Sequence, residues 1–318
     1  MMMASVTRWF DNKSTDIDSV LKIMSSPEKQ SEDGRGRISF QDLVTRKVLD
    51  ENETIELKGK KITFNLVRYT YNQVSVDDSE NPLPIEDRTV PRSGSVIVYT
   101  DGMRVRYIIN RNSDAQRVLR FILGYSGKGE VIKNQPILKS DMFIWLIKKI
   151  YSEENAIDLE DGSPALSVDN LTEFRGQTED ATNMVSANGD TIMNILSTLS
   201  FLLESNLMKQ IKFNVEYDNH SNIELVLSKS VIGTSVKNYS GAFEDKSYTS
   251  LIKEDNDLII EAKIYLVCYL IILPEIIQTY EGAIDADEWN SDKHKEFLKN
   301  VASDLQKKIN HRVENIDK

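Results

Sequence analysis

The order of predicted elements places this chain in the α+β class, with antiparallel hairpins mixed among helices in two subdomains. Three observations predict it. Short strand-like runs come in pairs joined by turn residues, the pattern of hairpins. Amphipathic helical stretches fall between the pairs without a repeating strand-helix alternation, which argues against a parallel sheet. At roughly 100–200 residues per domain, the 318 residues suit two domains, and an acidic stretch bearing Gly162 and Pro164 offers a boundary.

Residues 16–24 predict a short helix, with Ile17, Val20, Leu21 and Met24 on one face. Residues 25–37 carry Pro27, Gly34 and Gly36 and predict a loop. Ser39 caps a second expected helix through Leu49, its buried side formed by Phe40, Leu43, Val44 and Val48. Residues 54–57 and 61–71 read as a hairpin across Lys58-Gly59-Lys60. A surface loop follows over 77–90. Residues 95–99 and 103–110 form a second hairpin, whose Thr100-Asp101-Gly102 turn supplies the positive φ of a tight reversal. Helices are expected over 112–125, ended by Gly124 and Gly127, and over 141–151, capped by Ser140.

The acidic segment 152–167 is read as a loop or linker between an N-terminal domain, 1–151, and a C-terminal domain, 168–318. Beyond it come a strand over 166–174 and a short helix opening at Thr178. A strongly periodic helix follows over 191–205, and then a third hairpin, 210–217 with 223–227. Residues 233–250 read as an exposed loop. Residues 258–273 are apolar, with Pro274 closing or kinking them. A polar helix over 292–312 comes last. The apolar run is broken by Glu261 and Lys263, and its uninterrupted part covers only 264–273. A spanning helix needs about 20 apolar residues, so a core element is expected and no membrane partner. The N-terminus lacks an apolar stretch of signal-peptide length, and cytoplasmic localisation is expected.

Composition excludes other classes. One cysteine, Cys268, rules out a disulfide framework and a Cys-based zinc site, and the three histidines show no metal-binding spacing. The net charge of −11 is uneven. Residues 1–150 hold 24 Lys and Arg against 20 acids, whereas 151–318 hold 15 against 30. Within 88–149, 12 basic residues face four acids; within 153–180, nine acids face Arg175 alone. The basic segment makes Arg104, Arg106, Arg111, Arg117, Arg120 and Lys128 the candidate nucleic-acid-binding residues, with Tyr99, Tyr107 and Tyr125 near enough in sequence to stack on bases. The competing reading pairs the basic and acidic stretches with each other or leaves both solvated. Arg175, next to the helix start expected at Thr178, is a candidate anion contact.

Two motifs bear on catalysis. Gly124-Tyr125-Ser126-Gly127-Lys128-Gly129 lacks the spacing and the Ser or Thr of a phosphate loop, and a helix C-cap explains it. Asp257-Leu258-Ile259-Ile260-Glu261-Ala262-Lys263 resembles the third element of the PD-(D/E)xK nuclease core. That resemblance implies a strand here, a catalytic set of Asp245 (or Asp257), Glu261 and Lys263, and a magnesium ion as cofactor. No Pro-Asp pair precedes the motif, and on a helix Glu261 and Lys263 do not face each other. The leading expectation is therefore a non-enzymatic cytoplasmic protein, without cofactor, that binds another macromolecule. Nucleic acid is one version of that partner; a protein or a second copy of the chain is another. A magnesium-dependent nuclease is the alternative.

Overall fold

The computed structural model describes residues 5–26, 38–77, 79, 83–157, 159, 165–178, 184–188, 200, 203, 205–244 and 252–315. It is an α+β protein with two antiparallel sheets. The chain divides into two compact units, Met1–Pro136 with Leu251–Ala262, and Ile137–Ser250 with Lys263–Lys318. The helix expected over 141–151 and the acidic segment 152–167 thus both fall within the second unit.

The first unit holds β1 (Thr7–Asp11), α1 (Ile17–Met24), β2 (Ile38–Lys47), β3 (Glu53–Leu57), β4 (Lys60–Ser75), β5 (Thr89–Thr100), β6 (Val105–Ile109), α2 (Ala115–Leu123) and β7 (Val131–Lys133). Its sheet runs β2-β4-β5-β6-β1-β7, with β3 beside β4. Strand alternation puts Val67, Tyr69 and Tyr71 of β4, Val96 and Val98 of β5, and Val105, Tyr107 and Ile109 of β6 into one core with α1 and α2. The opposite set, including Phe64, Leu66, Ile97, Tyr99 and Ile108, is buried as well. The sequence here accordingly reads as long apolar runs.

Local chemistry explains the element ends. Asp16 caps α1, its carboxylate accepting from Asp18 N at 3.3 Å and Ser19 N at 3.0 Å. Gly124 closes α2 with φ 64, Gly124 N donating to Phe121 O and Tyr125 N to Arg120 O, which is a Schellman cap. The β3–β4 turn takes Lys58 and Gly59 at φ 49 and 70, the doubly positive pair that matches strand twist.

The second element is a correction. Residues 38–47 form a strand where the sequence predicts a helix. The apolar residues that suggested a helical face are split, Phe40 and Val48 buried and Val44 exposed. Pairing with β4 from Ile38↔Ser75 to Lys47↔Val67 satisfies their backbone, and an irregularity at Asp42 (φ 52) breaks the alternation that would have signalled a strand. β4 runs past its expected end at Tyr71 to Ser75, and β5 starts at Thr89 inside the expected loop, the two pairing as far as Val74↔Thr89.

The second unit holds α3 (Ser140–Tyr151), β8 (Ala156–Ile157), β9 (Leu166–Thr178), β10 (Met184–Asn188), β11 (Ser205–Tyr217), β12 (His220–Ser228), β13 (Val231–Ser235) and β14 (Ser240–Gly241). Its sheet runs β10-β9-β11-β12-β13, with β8 on β9 and β14 on β12. Thr178, where a short helix is expected to open, is the last residue of β9 and pairs with Ser205 of β11, and residues 179–183 beyond it lie outside the described residues. The segment expected as a loop from 233 carries the end of β13 and β14, with Tyr239 buried. The helix expected over 191–205 lies almost wholly outside the described residues.

Residues 253–285 form one helical run. It comprises α4 (Lys253–Val267), a π-helical turn (Cys268–Ile272) and α5 (Leu273–Asp285). Pro274 has no N–H to return to the preceding turn and its ring crowds that turn, so the helix widens there rather than ending. α6 (Ser291–Glu314) follows, capped by Asn290. Asp141 of α3 holds the C-terminal helices, accepting from Tyr280 at 2.9 Å and Trp289 at 2.7 Å, while Tyr151 donates to Asp304. Among the described residues no helix is long and apolar enough to cross a membrane.

Candidate anion-binding site

At the end of the first sheet where β5 begins, Tyr71 stands opposite Arg92 and Tyr69 opposite Gly94. Period-two alternation places all four on the face covered by α2. Gly94 is needed for its size: a Cβ there would lie 2.4 Å from both Tyr69 Oη and Asn110 Oδ1. That close approach lets the Tyr69 hydroxyl donate to Asn110 Oδ1 at 3.2 Å while accepting from Arg111 Nε at 3.2 Å. Asn110 Oδ1 also takes Ser95 N at 3.0 Å. Arg111 donates further to Ser93 O at 3.3 Å and lies 3.7 Å from Asp114.

Two more guanidinium groups complete the cluster. Arg117 of α2 donates to Ile38 O at 2.5 Å and lies 4.2 Å over the Phe40 ring, itself 4.6 Å from Tyr71. Arg92 donates to Gln73 Oε1 at 3.1 Å. Arg111 sits 5.8 Å from the Tyr71 ring centroid. Within this cluster Tyr71 is 2% exposed, yet among the described residues its hydroxyl has no hydrogen-bond partner. Burial raises the Tyr71 pKa above its ordinary value of 10; Arg111, Arg92 and Arg117 pull it down and Asp114 pushes it up. Tyr69 is pushed up to about 12, again by burial first, against the Arg111 hydrogen bond. Both phenols therefore stay protonated donors beside three fixed cations and one carboxylate.

Of the six residues proposed for nucleic-acid contact, only Arg111 and Arg117 come together here. Arg104 lies 4.5 Å over Phe10, and Arg106 pairs with Asp101 at 2.9 Å. Both stand toward the other end of β6, roughly 17 Å (Arg106) and 23 Å (Arg104) from Arg111 along a strand rising ~3.3 Å per residue. Arg120 turns to Ser126 O at 2.5 Å, and Lys128 is exposed on the loop after α2. That loop holds one of its own acids, Gly127 N donating to Glu130 at 2.7 Å. The expected stacking tyrosines are already engaged or buried. Tyr107 and Tyr125 donate to the buried Asp11 carboxylate at 2.5 and 2.9 Å, and Tyr99 is fully buried. Among the described residues Arg106 pairs with Asp101 and Arg111 with Asp114 inside the basic segment, while Lys148 pairs with Glu154 of the acidic one.

Arg175 sits on β9 and pairs with Glu173 at 2.9 Å. The strand implied by the nuclease resemblance is instead part of α4. Residues two apart on a helix point about 200° apart, so Glu261 and Lys263 do not share a face. Burial raises the Glu261 pKa, and Lys263 lies 5.7 Å from the Phe243 ring centroid. Asp245 lies outside the described residues. Among the described residues no three His, Cys, Asp or Glu side chains gather as metal ligands. Cys268 is buried in the π turn, which pushes its thiol up to about 12.

Sequence reasoning missed Tyr69, Tyr71, Arg92 and Gly94 as site residues. The alternation of β4 carried a signal for the two tyrosines, but their meeting with Arg92 depends on a register that the sequence does not state. The chain matches no protein-family model, and no curated protein shows significant similarity to it.

Proposed function

We propose that this is a non-enzymatic cytoplasmic protein that binds nucleic acid through the arginine-lined end of its first sheet. One observation carries the reading: a buried hydroxyl donor without an acceptor, Tyr71 Oη, lies among Arg92, Arg111 and Arg117. Burying an unpaired hydroxyl costs free energy, and a phosphate oxygen is the acceptor that this charge distribution favours. The lone cysteine, a buried thiol, suits a reducing compartment.

The test is fluorescence anisotropy at low salt with labelled single-stranded DNA, duplex DNA and RNA. Binding is expected, weakening as salt rises because phosphate contacts release counterions. Arg92→Ala and Arg117→Ala weaken it, whereas Arg104→Ala and Lys128→Ala leave it nearly unchanged. No binding to any of the three overturns the proposal.

A further inference from the structure

We infer that this site takes a terminal phosphate monoester of a nucleic-acid strand rather than the internal phosphodiesters of its backbone; this rests on the reading just given. The donors gather around one tyrosine from three elements. Arg92 comes from β5, opposite Tyr71, Arg111 from the segment after β6, 5.8 Å from the Tyr71 ring, and Arg117 from α2, over the Phe40 ring that packs on Tyr71. A strand backbone offers single charges in succession and calls for a row of cations. Among the described residues the other arginines of this sheet do not continue a row from here, since Arg106 is neutralised by Asp101 and Arg104 is spent on Phe10 toward the far end of β6.

Charge points the same way. The three guanidiniums placed around Tyr71, with Asp114 3.7 Å from Arg111, leave two positive charges among these residues, the complement of a dianionic monoester rather than of a singly charged diester. So does access. The Arg111 side chain is 17% exposed, and the Tyr71 hydroxyl lies beneath the surface. A mid-strand phosphate, flanked by sugar on both sides, approaches a buried hydroxyl less readily than the end of a strand does. The hydroxyl then donates to a phosphoryl oxygen, with the guanidiniums holding the others. No covalent step is involved.

The test uses the full chain and internally labelled oligonucleotides of one sequence, ending in 5′-phosphate, 3′-phosphate or hydroxyl groups. At pH 7.5 a phosphate-ended strand is expected to bind about tenfold tighter than the hydroxyl-ended one, the scale of one charge-assisted hydrogen bond. Inorganic phosphate should remove that advantage. Lowering the pH to 5 should shrink it, because the second pKa of a monoester is about 6. The groups facing the site are Tyr69, Tyr71, Arg92, Arg111, Arg117 and Asp114, and both tyrosines are shifted away from this range. Tyr71→Phe should narrow the advantage without unfolding the protein. Equal binding of phosphate- and hydroxyl-ended strands at pH 7.5 overturns the inference and leaves nucleic-acid binding standing. A full advantage in Tyr71→Phe moves the phosphate to another site, and absence of binding by any strand overturns both proposals.

Discussion

Tyr71→Phe removes one oxygen and nothing else, from a position where that oxygen is buried and unpaired. An unsatisfied buried polar group costs about 1–3 kcal/mol. The ring keeps its contacts with Phe40 at 4.6 Å and Phe121 at 6.1 Å. The substitution should therefore stabilise the protein, by up to about that amount. Tyr69→Phe is the same chemical change two residues away, on a ring stacked at 6.2 Å. There the hydroxyl bonds Asn110 and Arg111, so its loss should destabilise by about 1.5–3 kcal/mol, the range for hydrogen bonds to charged groups. Urea denaturation of the two variants beside the parent reads the difference as midpoints shifted in opposite directions. A Tyr71→Phe variant destabilised as much as Tyr69→Phe would show that the Tyr71 hydroxyl already has a partner, and the anion site would lose its foundation.

Other outcomes follow from the same geometry. Gly94→Ala drives a methyl into Tyr69 and Asn110 at 2.4 Å and should cost about 1–3 kcal/mol by overpacking, measured by thermal or chemical unfolding. Asp255, 2% exposed, is held by Arg46 at 2.8 Å and Arg68 at 2.7 Å. Each arginine is about half exposed, so either single alanine variant should cost no more than about 1 kcal/mol. Removing both leaves a buried charge alone and should cost about 3–5 kcal/mol, so the double-mutant cycle should be strongly non-additive. Burial raises the Glu261 pKa above 4.5, so between 4.5 and the raised value the folded chain binds more protons than the unfolded one. Stability contributed by this residue is lost as pH rises through that window. Glu261→Gln should accordingly stabilise at neutral pH, with the gain vanishing below pH 4.5.

Much of the first unit was legible because local signals agreed with tertiary contacts. Ile17, Val20, Leu21 and Met24 of α1 are all buried as their spacing predicts, Lys58-Gly59 reverses the chain between β3 and β4 as expected, and Gly102 adopts the positive φ expected of it. β2 was illegible for the opposite reason. Its apolar spacing mimics a helix, and only the partner strand β4, some 30 residues on, decides the matter. The 258–273 segment shows the limit of short motifs. Glu-x-Lys means one geometry on a strand and another on a helix, and the helical run through Asp285 sets which applies. Within the candidate site, Arg111 and Arg117 were visible as basic residues of a basic segment. Tyr71 was not, because an unpaired hydroxyl is a property of the assembled cluster. Arg106 and Arg120 were overcounted for the same reason, since Asp101 and the Ser126 carbonyl claim them only in the fold.

The most direct measurement is anomalous diffraction from crystals soaked in tungstate, a tetrahedral dianion that stands in for a phosphate monoester. The account predicts a tungsten peak among Arg92, Arg111 and Arg117, within hydrogen-bond reach of Tyr71 Oη, and lost in Arg92→Ala/Arg117→Ala crystals. A peak confined to Arg104 or Lys128, or none in the cluster at a concentration that saturates binding in solution, would contradict it.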